Sequence, residues 1–151
     1  MKKRGTRDCL AEYNGIIKEN DDIYRNLARI FGLSECSFWI LYTLRTNDTA
    51  LAQSEVCAYM YQPKQTVNSA LKKMESEGYL KLEKGKDHRS KQISLTAGGI
   101  RLCERTVDRI IESERGALGR MTAEEQEMFL SLFHKYTDLL RQAMQDISRK
   151  E

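Results

Sequence analysis

The chain has 151 residues, of which 40% are hydrophobic and 31% charged, with one proline, nine glycines and a net charge of +3. That length suits one domain, or one domain with an oligomerisation extension; the balance excludes a disordered chain, and the scarcity of proline and glycine favours long helices. No apolar run approaches the ~20 residues that span a bilayer, and the basic start Met1-Lys2-Lys3-Arg4 leads into Asp8, Glu12 and Lys18 rather than an apolar stretch, so neither a membrane partner nor a signal peptide is expected and a cytoplasmic location follows.

From Leu10 to Phe31, the residues Tyr13, Ile17, Tyr24, Leu27 and Phe31 recur at steps of 4, 7, 3 and 4, which predicts a long amphipathic helix ended by Gly32. Ser34 can cap a second helix running to about Arg45, with Phe38, Ile40, Leu41 and Leu44 inside. After a turn at 46–49, Ala50 to Ala52 can form a minimal strand. A short third helix over Gln53 to Tyr61 then places Val56, Cys57 and Met60 on its inner face.

The next helix is marked at both ends. Pro63 can open it, because its missing N–H would be unpaired there anyway, and Gly78 can close it in a left-handed conformation. Between them Val67, Ala70, Leu71 and Met74 form one apolar stripe, while Gln65, Ser69, Lys72 and Ser76 lie opposite. Leu80 and Leu82 then alternate with Lys81 and Glu83, and Ile93 and Leu95 with Gln92 and Ser94, the period of two strands with one buried face. Their connection, 85–91, is an exposed cationic tip.

Thr96 can cap one continuous helix carrying Ile100, Cys103, Val107, Ile110, Ile111 and Leu118, loosened at its end by Gly116 and Gly119. Thr122 and Glu125 form a capping box that opens the last helix, whose stripe runs Phe129, Leu132, Phe133, Tyr136, Leu139, Leu140, Ala143, Met144 and Ile147.

From 64 to 91 there are eight Lys or Arg against four Asp or Glu, a net of +4 where the whole chain carries +3, so the remainder sits at −1. Positive charge gathered on one amphipathic helix and the adjacent hairpin points to a polyanion contact. The expected fold is mainly α with a small β-hairpin. A winged helix-turn-helix DNA-binding lobe spans 33–96, and 8–32 with 97–149 form a helical dimerisation region. The first and last helices cannot both hide their stripes on so small a lobe, so a homodimer is expected, and its two-fold symmetry suits double-stranded DNA with a pseudo-palindromic operator.

An enzyme finds no support. His88 and His134 lack any accompanying nucleophile elbow, paired metal ligands or glycine-rich phosphate loop. Cys9, Cys36, Cys57 and Cys103 are too scattered for a metal or disulfide framework, so neither metal nor cofactor is expected. Cys9, close to a helix start and to Lys and Arg residues, is a candidate redox sensor. A winged-helix module for protein contact is the other alternative, which the bias of Lys72, Lys73, Lys86, Arg89 and Lys91 opposes.

The run Pro63-Lys64-Gln65-Thr66-Val67-Asn68 leading to Leu71, the triplet Gly78-Tyr79-Leu80, and Asp87-His88-Arg89-Ser90 followed by Leu95-Thr96 resemble the MarR family of winged helix-turn-helix transcriptional regulators, over nearly the whole chain. The resemblance implies a wing arginine, Arg89, entering the minor groove and oriented by Asp87 through a charge-assisted hydrogen bond. In the major groove the amides of Gln65 and Asn68 suit adenine and Lys64 suits guanine. Thr66, Ser69, Lys72 and Lys73 suit phosphates, and Pro63, Lys86 and Lys91 complete the expected contact set. It also implies a repressor relieved by a small aromatic or anionic effector, or alternatively by cysteine oxidation; Tyr13, Tyr24, Trp39 and Tyr42 have the flat walls and polar tips for an effector pocket. Two positions depart from the pattern: Ala52 stands where relatives often carry a capping hydroxyl, and Ser37 where many carry glutamine.

Overall fold

The computed structural model describes residues 5–47, 49–85 and 90–149. In chain order these form α1 (Thr6–Ile30), α2 (Glu35–Thr46), β1 (Leu51–Ala52), α3 (Gln53–Tyr59), α4 (Lys64–Ser76), β2 (Leu80–Lys84), β3 (Lys91–Leu95), α5 (Ala97–Arg105), α6 (Val107–Gly119) and α7 (Ala123–Ser148). The chain divides into two compact units, 1–109 and 110–151.

In the first unit Phe38, Ile40, Leu41, Val56, Val67, Leu71, Ile93, Cys103 and Val107 are almost fully enclosed. The stripe of α2, the inner faces of α3 and α4 and the start of α6 thus share one core with the sheet. That sheet is antiparallel in the order β1-β3-β2, with Ile93 paired to Leu51 on one side and to Leu82 on the other. The expected hairpin is therefore two-thirds of a three-stranded sheet, β1 supplying the third strand with only two residues.

Two glycines stop their helices as the sequence predicts. Gly32 and Gly78 have φ of 68° and 84°. At Gly78 the N–H donates to the Glu75 carbonyl and the Tyr79 N–H to that of Met74, both at 3.0 Å; the Gly32 and Leu33 N–H groups repeat this with Arg29 and Ala28. Each is a Schellman closure that satisfies carbonyls the helix end leaves open. Ser34 caps α2, its Oγ accepting from the Ser37 N–H at 3.1 Å. At α3 only half a capping box forms: the Glu55 carboxylate accepts from the Ala52 N–H at 2.6 Å, but Ala52 has no hydroxyl to return the bond.

The single helix expected after the hairpin is broken at Thr106. Its hydroxyl donates to the Leu102 carbonyl at 2.6 Å and its N–H turns to that of Cys103, taking the acceptor that an unbroken helix would give to the backbone. The break lets α6 start beside α2, where the Asp108 carboxylate accepts from Arg45 Nε and from one terminal guanidinium nitrogen, both at 2.7 Å. Three smaller differences concern helix ends. α1 begins at Thr6 rather than near Leu10, α3 stops at Tyr59 rather than Tyr61, and Pro63 sits one residue before α4 rather than inside it.

The second unit holds α7, opened by the expected box: the Thr122 hydroxyl accepts from the Glu125 N–H at 3.2 Å and the Glu125 carboxylate from the Thr122 N–H at 2.8 Å. No residue of α7 is buried. Phe129, Leu132, Phe133, Leu139, Leu140, Met144 and Ile147 stand exposed, with the Phe129 and Phe133 rings stacked at 6.0 Å.

Candidate nucleic-acid interface

α4 is amphipathic in the way the sequence requires. Val67 and Leu71 have no exposed surface and Met74 almost none, whereas Pro63, Lys64, Gln65, Thr66, Ser69, Lys72 and Lys73 are exposed. No side chain caps the α4 start, so its first N–H groups are open to solvent or to an anion. Lys73 lies 3.9 Å from Glu77 across one turn.

Asn68 stands apart from its neighbours. It is half-buried, and its Oδ1 accepts from Gln53 Nε2 at 2.6 Å and from Cys57 Sγ at 3.7 Å. The amide expected to read adenine is thus turned toward α3, with its oxygen already engaged, because position 68 follows the buried Val67 and falls between the two faces of the helix. Gln65 is the exposed amide of α4's first turn.

β2 and β3 carry the wing. Its last rung pairs Lys84 with Lys91, both exposed. Like charges directly opposite each other weaken a sheet, so this pair costs stability that a polyanion would restore. Lys86, Asp87, His88 and Arg89 lie outside the described residues. The wing base is fastened to the helix end and to α5: the Thr96 hydroxyl donates to the Gly78 carbonyl and accepts from the Gly99 N–H at 3.0 Å, and the Thr96 N–H donates to the Tyr79 carbonyl at 3.1 Å. Further along, the Leu82 N–H donates to the Glu75 carboxylate of α4 at 3.0 Å.

A cleft of about 540 Å³ opens within the first unit beside α1, α2 and the end of α3. Tyr24, Trp39 and Tyr42 line it, with ring centroids 5.1 Å apart for Tyr24–Trp39 and 5.3 Å for Trp39–Tyr42. Tyr13 does not: eleven residues before Tyr24, it stands about 16 Å further along α1 at 1.5 Å per residue. Asp21, Arg25, Glu35, Tyr59 and Tyr61 join the lining, and Arg25 is held by Asp22 at 3.2 Å and by Glu35 at 3.7 Å.

Cys9 is exposed in the first turns of α1, Cys57 is half-buried, and Cys36 and Cys103 are buried. Burial, assisted by Asp108 and opposed by Arg45, pushes the Cys103 thiol up to about 11; burial, then the neighbouring Cys57, also raises that of Cys36. His134 is exposed on α7.

Comparison with known proteins points to one family. The MarR family model matches residues 31–90, which include α2, the short strand, α3, α4 and most of the wing. YwoH, an HTH-type transcriptional regulator of Bacillus subtilis (strain 168), is 28% identical over 106 residues, covering 70% of this chain and 77% of its own. Over that segment the chain is similar to regulators of the MarR family. MarR-family structures share its fold. NMB1585 from Neisseria meningitidis superposes with a TM-score of 0.75 at 18% identity over 91% of this chain and 96% of its own. MepR of S. aureus, in a complex with DNA, gives 0.66 at 22% over 91% and 99%. Among the described residues, no helix is long and apolar enough to cross a membrane.

Sequence reasoning missed the Gln53–Asn68 and Glu75–Leu82 hydrogen bonds and the acidic lining of the cleft. No local pattern announces them, since each joins residues on different elements. The one available signal was that Glu75 falls on the turn of α4 just before the Gly78 stop, where the chain doubles back.

Proposed function

We propose that the chain acts as a homodimer that binds a pseudo-palindromic operator in double-stranded DNA, placing α4 in the major groove and the wing in the minor groove, as a repressor released by a small ligand. Residues 33–96 form the DNA-contacting lobe in this reading, and 8–32 with 97–149 the dimerisation region. The carrying observation is α4 itself, with Lys64, Gln65, Thr66, Ser69, Lys72 and Lys73 exposed behind a fully enclosed apolar face, next to a wing whose last described rung is a lysine pair. Gln65 and Lys64 have the donors and acceptors for base edges, the others reach phosphate, and Arg89 takes the minor groove beside Asp87. Asn68 contributes through its NH2 group alone. The fold likeness to MepR, solved with DNA, supports the docking mode.

Dimer formation is supported by the exposed apolar side chains of α7, together with Leu10, Ile16, Ile17 and Ile23 on α1. Apolar surface of that extent on a soluble chain needs cover, and a second copy supplies it. The cleft lined by Tyr24, Trp39 and Tyr42 is the effector site in this reading, and because Trp39 is the only tryptophan, occupancy reports directly as a change in its fluorescence.

Selection of bound fragments from genomic DNA, followed by anisotropy titrations on the enriched duplexes, tests the function. Wild-type protein is expected to enrich a two-fold symmetric motif, and Arg89→Ala to weaken binding at least tenfold while leaving the dimer intact. Unchanged affinity in Arg89→Ala removes the wing from the interface, and no enriched motif removes sequence-specific binding. Repeating the selection with peroxide present tests Cys9 in the same experiment.

A further inference from the structure

We infer that Glu75 is the positioning residue that fixes the angle of the wing against the recognition helix α4, so that both engage one duplex together. The inference rests on the DNA-binding reading above. β2 is an edge strand, bordered by β3 on one side only. The Leu82 N–H lies on its open side and would otherwise face water; instead it donates to the Glu75 carboxylate at 3.0 Å.

Geometry makes this bond more than a local satisfaction of a donor. The other links between α4 and the wing gather at its root, where Tyr79 donates to Met74 and Thr96 clamps Gly78 and Tyr79. β3 pairs with β2 along its length but is itself anchored to β1 only at Ile93 and Gln92, so the outer part of the hairpin is a lever. From Leu80 to Gly85 the chain extends about 16 Å at ~3.3 Å per residue, so a tilt of about 15° displaces its far end by roughly 4 Å, more than a hydrogen bond tolerates. Glu75 grips the strand two residues beyond the root.

The sign of its charge separates this role from ordinary electrostatics. Glu75 is an exposed carboxylate on the helix that faces DNA, so if it did nothing but repel phosphate, removing it would tighten binding. A strut predicts the reverse for any variant that loses the acceptor. Glu75→Gln loses the charge but keeps an oxygen able to accept from Leu82; Glu75→Ala loses both; Glu75→Asp keeps the charge but is one methylene too short.

The test is an anisotropy titration of wild type and the three variants on a selected duplex, across a range of salt, with melting temperatures measured alongside. The expected order is Glu75→Gln binding at least fivefold tighter than Glu75→Ala, with Glu75→Asp grouped with Glu75→Ala. The slope of log affinity against log salt should also flatten by about one unit or more in those two, because Lys84 and Lys91 lose their phosphates. A loss of fold alone lowers the active fraction and leaves that slope unchanged. If Glu75→Ala does not fold, the comparison of Glu75→Asp with Glu75→Gln decides. Equal or tighter binding by Glu75→Ala or Glu75→Asp than by Glu75→Gln, or unchanged salt slopes, overturns the inference. Failure of the wild type to bind any duplex instead overturns the DNA-binding reading.

Discussion

Lys72→Ala offers a quantitative test of how α4 meets DNA. Lys72 is exposed in the middle of α4, one residue after Leu71, which is fully enclosed, so truncating it leaves the core intact. If it neutralises one phosphate, each copy contributes about 0.9 to the slope of log affinity against log salt, and a dimer about 1.8. Between 50 and 200 mM salt, a fourfold change, the affinity ratio of wild type to Lys72→Ala should therefore shrink by about 12-fold for a dimer and about 3.5-fold for a single copy. Anisotropy titrations at several salt concentrations, on a selected duplex and a scrambled one, read this directly. The loss should be similar on both duplexes. A ratio constant across salt, or a loss confined to the selected duplex, refutes the phosphate contact and makes Lys72 a base reader.

Three further outcomes concern the scaffold that holds the interface. Gly99→Ala places a Cβ 2.1 Å from the Tyr79 carbonyl oxygen at the root of the wing, which should cost about 3 kcal/mol and lower the melting temperature by several degrees; an unchanged melting point would contradict that close approach. The Cys103 thiol, raised to about 11 from an ordinary 9.0, favours the folded state in full below pH 9 and loses that preference as pH rises through 11. Two units correspond to roughly 2.7 kcal/mol, so urea midpoints followed from pH 8 to 11 should fall more steeply for wild type than for Cys103→Ala, and parallel curves would refute the burial. Asp108→Asn removes the charge from a partly shielded two-bond pair with Arg45 and should cost about 1–2 kcal/mol in urea unfolding; no measurable change would mean the pair is fully screened.

Local signals in the sequence carried the helices well. The stripe of Val67, Leu71 and Met74 is enclosed, Ser34 and Thr122 cap the helices they precede, and Gly32 and Gly78 take the left-handed conformations that end α1 and α4. Each of these depends on neighbours within about one turn, so periodicity and capping chemistry suffice. The break at Thr106 escaped because no glycine or proline marks it; a threonine hydroxyl competing for a backbone carbonyl is common inside unbroken helices too. Asn68 escaped for a different reason. Whether a residue between two helix faces turns outward or inward depends on what the neighbouring helix offers, and here Gln53 offers a donor. Helical spacing assigns Tyr13 and Tyr24 to a face but gives neither a position along the axis, so it does not separate the one that reaches the cleft from the one that does not. The short strand β1 was legible only as a two- or three-residue hint, since its stability comes from pairing with β3 rather than from its own residues.

Footprinting of a selected duplex by hydroxyl radicals, with the full-length chain bound, tests most directly whether α4 and the wing act together and in two symmetric copies. Docking of two α4–wing pairs predicts two protected stretches of backbone related by two-fold symmetry, centred about one helical turn or a multiple of it apart, each with adjoining minor-groove protection. A single unsymmetric stretch, or protection confined to one groove, would contradict it.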